Sequence, residues 1–345
     1  MGRKILWASL ALTPVTILAD LALHLGETAL FALAAVSLVP LAWLIGEATE
    51  HAAEHTGAGV GGFLNASFGN APELIIALLA VADGLPDVVR GSITGSIVSN
   101  ILLVLGVALI AKGEGELDRA SLLGQLGLVV VAVAAFLLVA VPGLHGDPER
   151  HSLAVLGIPI SACLLALYAG AMVRSLRRHR RIDSGSGGGE GWSLKGSLGA
   201  LAVATAATAV VSEILVHSLG AFAEAAGLSE FFVAAVIVAI VGNAAEHGGA
   251  IVIARRGNVR LASEIAISSS AQVALLVAPA VALLSFVVRP PLALSFRPIE
   301  LGAMAFAALF VAFVIHDGKS RRWEGFLLVG TFVAVAGAFW VAGDR

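Results

Sequence analysis

The chain has 345 residues, 58% of them hydrophobic and 13% charged, with a mean hydropathy of +0.95. Soluble domains carry about 25% charged residues, so this composition excludes a soluble globular protein and indicates an integral membrane protein. The net charge of −3 gives no electrostatic case for nucleic acid as a partner, and the single cysteine, Cys163, excludes a disulfide framework and a cysteine-based zinc site.

A membrane-crossing helix needs about 20 mostly apolar residues. Eleven segments qualify: 4–23, 28–54, 60–82, 88–111, 120–141, 152–174, 196–218, 229–254, 261–286, 298–316 and 323–342. The first lacks a small-x-small cleavage site before Asp20 and reads as a retained span rather than a leader. The second ends in GEATEHAAEHTG, in which His51, Glu54 and His55 spell H-x-x-E-H, the pattern of inverted zinc peptidases. The third carries GNAPE from Gly69, and the fourth a Ser-rich patch with Ser96, Ser99 and Asn100. After the sixth segment comes the one long break, RSLRRHRRIDSGSGGGEGWS, basic and then Gly/Ser-rich, the composition of a flexible linker. The seventh carries VSEILVH, the eighth GNAAEH, and the ninth Ser268, Ser269, Ser270 and Gln272. The expected fold is an all-α polytopic membrane protein of 11 transmembrane helices. With the N-terminus in the cytoplasm, only Arg90, Arg150, Arg289, Arg297 and Arg345 of the 21 basic residues fall outside. The positive-inside rule thus places the linker in the cytoplasm and the C-terminus outside.

GNAPE and GNAAEH share G-N-A-x-E, each is followed by a Ser-rich patch ending in an amide, and IGEATEH faces VSEILVH upstream. A one-residue gap aligns the two Ser-rich patches. These matches predict an internal duplication: an extra helix over 1–27, a five-helix repeat over 28–175, the linker over 176–195 and a second five-helix repeat over 196–345. Five is odd, so the copies enter the membrane from opposite sides, the inverted repeat of secondary transporters, with the site near the midplane.

Asn70 and Glu73 share one helix face, as do Asn243 and Glu246, with His247 a turn from Asn243. A carboxylate within a span is expensive and functional by default. Glu73 and Glu246 are therefore the expected cation- and proton-binding pair, joined by Asn70 and Asn243. Ser96, Asn100, Ser268, Gln272 and His247 are the expected lining. Pro72 and the glycines Gly69 and Gly242 loosen their helices and free carbonyls beside the acids. Such oxygens suit a hard cation such as Ca²⁺. Two carboxylates sharing a site release their protons when a divalent cation takes it, which is the minimal design of a cation/proton antiporter.

These residues resemble the CAX-type Ca²⁺/H⁺ exchangers of the calcium/cation antiporter superfamily. The resemblance rests on GGFLNASFGNAPELI from Gly61, GSITGSIVSNILLVLG from Gly91, and IVGNAAEH…SSSAQVALLVAP from Ile240 to Pro279. It implies that Glu73 and Glu246 bind the transported cation and protons, that an extra helix precedes two five-helix repeats, and that a helix pair slides across the core to give alternating access. Ca²⁺ and H⁺ are then the partners along with the bilayer, and no cofactor is expected. Relatives also move Na⁺, K⁺ or Mn²⁺, so a monovalent cation/H⁺ antiporter is the alternative. Many members carry an acid-rich helix between the repeats; here that stretch has only Asp183 and Glu190.

Glu47, Glu50, His51 and Glu54 follow helical spacing at one end of span two and form the expected cytoplasmic acidic mouth. Glu213, Glu224 and Glu230 form the expected outer one. Negative mouths concentrate cations. A membrane-embedded zinc peptidase at His51, Glu54 and His55 is the remote alternative; it needs a further ligand, and the second repeat has no matching histidine pair. The short chain points to a prokaryotic cytoplasmic membrane.

Overall fold

The computed structural model describes residues 2–23, 25–179 and 192–344; side chains at 2, 3, 57–63, 65, 66 and 175–179 lie outside the description. Within the linker expected over 176–195, residues 180–191, with Asp183 and Glu190, lie outside the described residues. Helices α1 (Gly2–Ser9) and α2 (Leu12–Ala22) occupy the first apolar segment. α3 (Glu27–Gly69) is a continuous helical run, so no loop marks the boundary expected near 54–60. Phe68 nevertheless packs in the same small cluster as Ile45 and Ala48. On a straight helix Ile45 and Phe68 would stand about 35 Å apart, so the run bends back within its second half.

α4 (Ala71–Ala82) follows after a break at Asn70. α5 (Pro86–Val98) leads through a π-helical turn (Ser99–Val104) into α6 (Leu105–Lys112). The pair β1 (Gly115–Glu116) precedes α7 (Arg119–Gly143) and α8 (His151–His179). α9 (Leu194–Ala226) is started by the Ser193 side chain and ended by Gly227, whose φ of 66° few other residues adopt. α10 (Glu230–Phe232), a second π turn (Val233–Val238) and α11 (Ala239–Gly242) reach a second break at Asn243. α12 (Ala244–Arg255), α13 (Val259–Gln272), a third π turn (Val273–Val277) and α14 (Ala278–Val288) follow. α15 (Pro298–Val314), β2 (Lys319–Ser320) and α16 (Arg322–Ala342) complete the chain.

Among the described residues, eight helices are long and apolar enough to cross a membrane. There are nine if α10 to α11 and α12, which meet at a 58° bend, form one crossing; α4 and α15 are shorter apolar helices. Valines, leucines and phenylalanines such as Val203, Phe313 and Val341 stay exposed, as a lipid-facing belt requires.

Side-chain and strand contacts define two ends. At the basic end β1 pairs antiparallel with β2, Ser320 Oγ donates to Gly113 O (2.8 Å), and Arg260 pairs with Asp118. At the opposite end Arg90, 1% exposed, pairs with Glu149 and with Asp87 (2.7 Å). There Arg297 pairs with Glu300 (2.5 Å) and lies 3.9 Å from the Phe231 ring centroid, and Asp344 accepts the Phe231 N–H (2.9 Å). Between the ends, α5 lies close against the Val233–Val238 turn: a Cβ on Gly91 would stand 2.8 Å from Phe231 O, and one on Gly95 would overlap the backbone of Ala235.

Candidate cation site

The two G-N-A-x-E stretches fold alike because each asparagine interrupts its helix. Asn70 stands between α3 and α4, and Asn243 between α11 and α12. Pro72 falls in the first turn of α4, where its missing N–H costs no helical hydrogen bond. Glu73 and Glu246 thus lie in the first turns of α4 and α12, not within the continuous spans expected over 60–82 and 229–254. Half-helix N-termini of this kind carry a partial positive charge that favours carboxylates.

Each carboxylate crosses to the break in the other half. A Cβ on Gly69 would lie 3.5 Å from Glu246 Oε1, and one on Gly242 would lie 3.6 Å from Glu73 Oε1. The glycines bring the two backbone breaks up to the carboxylates, and a Cβ at either position would stand in ordinary van der Waals contact with the acid.

A hydrogen-bonded polar layer surrounds the pair. Asn70 Nδ2 donates to Gln272 Oε1 (2.7 Å), and Asn243 Nδ2 donates to Ser96 Oγ (2.9 Å). Asn100 Nδ2 donates to Asn243 Oδ1 (3.3 Å) and Ser269 Oγ (3.1 Å). Its Oδ1, 3.1 Å from His247 Nε2, is left to accept, so His247 presents Nε2–H. Ser269 Oγ donates in turn to Glu246 Oε2. Among the described residues Glu73 Oε2 is buried without a hydrogen-bond partner.

The structure brings together Glu73, Glu246, Asn70, Asn243, Ser96, Asn100, Gln272 and His247, all read from the sequence. Ser268 stays out of the network; its hydroxyl bonds to Ile265 O (3.1 Å) on its own helix. Ser269 takes the place the sequence reading gave to Ser268. The turn glycines explain why: Gly84 and Gly257, both with positive φ, stand at the same separation along the chain as Glu73 and Glu246. Carried on without a gap, that separation pairs Ser96 with Ser269, so the gapped alignment is corrected.

From the basic end a cavity of about 600 Å³ reaches Glu246 and Gly69; Trp43, Glu47 and Glu50 line it. Glu54 is not among the lining residues: it is exposed and lies 3.3 Å from His51 Nδ1. His51 also approaches Glu47 (3.6 Å) and stacks on Trp192, and His55 Nε2 meets Trp192 O (2.7 Å). Both histidines are thus engaged by Trp192, one on its ring and one on its backbone carbonyl, and no group of three or more metal-ligating side chains forms among the described residues. Trp7 packs against both Trp43 and Trp192, with ring centroids 5.4 and 5.9 Å away.

The acids expected at the other mouth are dispersed. Glu213 lines a separate cavity of about 740 Å³ with Asp20, Glu27 and His217. Glu224 is exposed near the end of α9, and Glu230 starts α10 at the opposite end, its N–H 3.3 Å from Asp344 Oδ2. Glu73 lines neither cavity.

The chain is 34% identical to a Ca²⁺/H⁺ antiporter of Aphanothece halophytica, over 98% of this chain and 96% of that one. It is 35% identical to the Ca²⁺/H⁺ antiporter ChaA of Bacillus subtilis, over 95% and 96% of the two chains. The solved structure of native YfkE superposes with a TM-score of 0.85 at 34% identity, covering 98% of this chain and 99% of that one. The sequence pattern of the sodium/calcium exchanger proteins matches residues 26–177 and 196–341, the two halves that hold Glu73 and Glu246. The chain is an integral membrane transport protein, not an enzyme, and it belongs to the sodium/calcium exchanger protein family.

Proposed function

We propose that this protein is a secondary active antiporter that exchanges Ca²⁺ for H⁺ across a membrane. The observation that carries this reading is the crossover of Glu73 and Glu246 onto the helix breaks at Gly242 and Gly69. Full-length likeness to Ca²⁺/H⁺ antiporters supports the choice of ions. Two carboxylates, each set against the other's helix break, with amide and hydroxyl oxygens around them, can hold either a divalent cation or protons, and not both together. Binding Ca²⁺ releases the protons; taking up protons releases Ca²⁺. Glu73 and Glu246 carry the charge. Asn70, Asn243, Ser96, Asn100, Ser269 and Gln272 orient them and supply neutral oxygens.

Eleven helices make up the membrane domain: an extra helix over 1–27, a first repeat over 28–175, a cytoplasmic linker over 176–195 and an inverted second repeat over 196–345. Matching breaks at Asn70 and Asn243 and matching turns at Gly84 and Gly257 support the duplication. The basic end faces the cytoplasm of a prokaryotic cell, with the N-terminus inside and the C-terminus outside. Glu47 and Glu50 draw the cation into the cavity that reaches Glu246.

Everted vesicles with an acid interior test this reading. Ca²⁺ added outside should collapse the pH gradient, and Glu73→Gln and Glu246→Gln should each abolish the response. Full activity in both variants would sink the site assignment. A response to Na⁺ or K⁺ and none to Ca²⁺ would replace the cargo with a monovalent ion.

A further inference from the structure

The cavity at the basic end lies between α3 and α12, with Ala42, Gly46 and Glu50 on one wall and Glu246, Gly249 and Ala250 on the other. Under the duplication proposed above, every wall position has a counterpart. Positions on α3 map onto α9 at the separation of Glu47 from Glu213, and positions on α12 map back onto α4 at the separation of Glu246 from Glu73. The counterparts are Thr208, Ser212 and Val216 facing Glu73, Ile76 and Ala77. All six are buried, and α4 packs against α9, whereas Glu213, the counterpart of the further wall residue Glu47, is exposed and lines the separate cavity with Asp20 and Glu27. At these six positions the wall that is open at the basic end is closed at its counterpart.

Two of the six are chemically out of place in a closed wall. Thr208 Oγ1 and Ser212 Oγ, one helical turn apart, are fully buried and have no hydrogen-bond partner among the described residues. Of the other buried hydroxyls on these long helices, those of Thr49 and Ser218 donate to the carbonyl four residues back, while Ser197 Oγ and Thr205 Oγ1 on α9 also have no partner among the described residues. Folded proteins keep few buried polar groups unsatisfied. The copy of this wall on α3 has Ala42 and Gly46 at the same positions, so the helix packing itself requires no hydroxyl there.

We propose that Thr208 and Ser212 line the outer half of the cation path, shut in this structure, and coordinate or hydrate the cation when the path opens away from the basic end. This rests on the antiport reading. Hydroxyl oxygens are suitable ligands for a hard cation. They are also neutral, and Val216 stands where the basic-end wall has Glu50. The outer half therefore holds the ion with less charge than the inner half, which suits release.

The test uses the full chain with Cys163→Ala, because Cys163 is exposed. Thr208→Cys, Ser212→Cys and the core control Leu215→Cys are treated in right-side-out vesicles with a charged, membrane-impermeant thiol reagent. At least one of the first two should react about tenfold faster than the control, and its modification should stop Ca²⁺-driven proton flux. Separately, Thr208→Val with Ser212→Ala should raise the half-saturating Ca²⁺ on the outer face about tenfold, a loss of roughly one ligand, while the inner-face value changes less than about twofold. The proposal is overturned if both thiols are as inert as the control, or if the double variant leaves the outer-face value unchanged. A parent lacking Ca²⁺-driven proton flux would instead defeat the antiport reading, and labelling would still report on the path.

Discussion

At the residue scale, the pair Glu73 and Glu246 was legible because acids inside apolar segments stand out and the G-N-A-x-E repeat marks them twice. Their neighbours were less legible. Four polar residues stand within five positions of the ninth segment, Ser268, Ser269, Ser270 and Gln272, and only the fold decides which hydroxyl turns inward. Ser269 does, donating to Glu246 while accepting from Asn100. The Ser269→Ala variant should raise the half-saturating Ca²⁺ for exchange about tenfold or more, since a hydrogen bond to a charged group contributes about 1.5–3 kcal/mol. Ser268→Ala, which loses only a bond to its own helix, should stay within about twofold in the same flux assay. An equal effect of the two would mean that the hydroxyl on Glu246 does not set its affinity. The acidic stripe divides similarly: Glu47 and Glu50 line the cavity and Glu54 does not, a distinction that helical spacing alone could not draw.

At the element scale, hydropathy located the apolar segments well but blurred their breaks. Asn70 and Asn243 sit within apolar surroundings, so averaging hydropathy over the length of a span leaves the interruption unmarked. The bend within α3 is equally hidden, because the helical hydrogen bonding never stops. Close approach of elements is written in small residues and is invisible to hydropathy. Gly91 and Gly95, four apart on α5, let that helix touch the Val233–Val238 turn, as small residues do where membrane helices meet. Gly95→Ala should force the two apart, because the atom in the way is backbone and cannot rotate aside. We expect a melting midpoint several degrees lower in detergent, as measured by thermal-shift size-exclusion. The control is Gly127→Ala on α7, where a Cβ meets nothing within 4 Å; it should be neutral or stabilise by up to about 1 kcal/mol.

At the scale of the whole molecule, loop charges indicated a sidedness but not what the minority of outer arginines do. Arg90 and Arg297 are not loop charges; they are folded into a buried network with Asp87, Glu149 and Glu300, over Phe231. Partners far apart in sequence meet there, and no local pattern announces that. Glu149→Gln should cost about 1–3 kcal/mol by leaving a buried guanidinium short of an anion. Asp118→Asn, facing the 61% exposed Arg260, should cost less than about 1 kcal/mol. Parallel denaturation curves decide between these values, and equal losses would show that the opposite end is no better buried than the basic one. The aromatic contacts at the basic end bind the molecule differently. Trp7 of the first helix, Trp43 of the cavity wall and Trp192 at the end of the linker are three of the five tryptophans. Indoles at that separation exchange excitation and behave optically as one group. With Trp323 and Trp340 of α16 replaced by phenylalanine, the protein therefore carries its own fluorophore at the doorway to Glu246, and its emission colour reads the wetness of that doorway without any label.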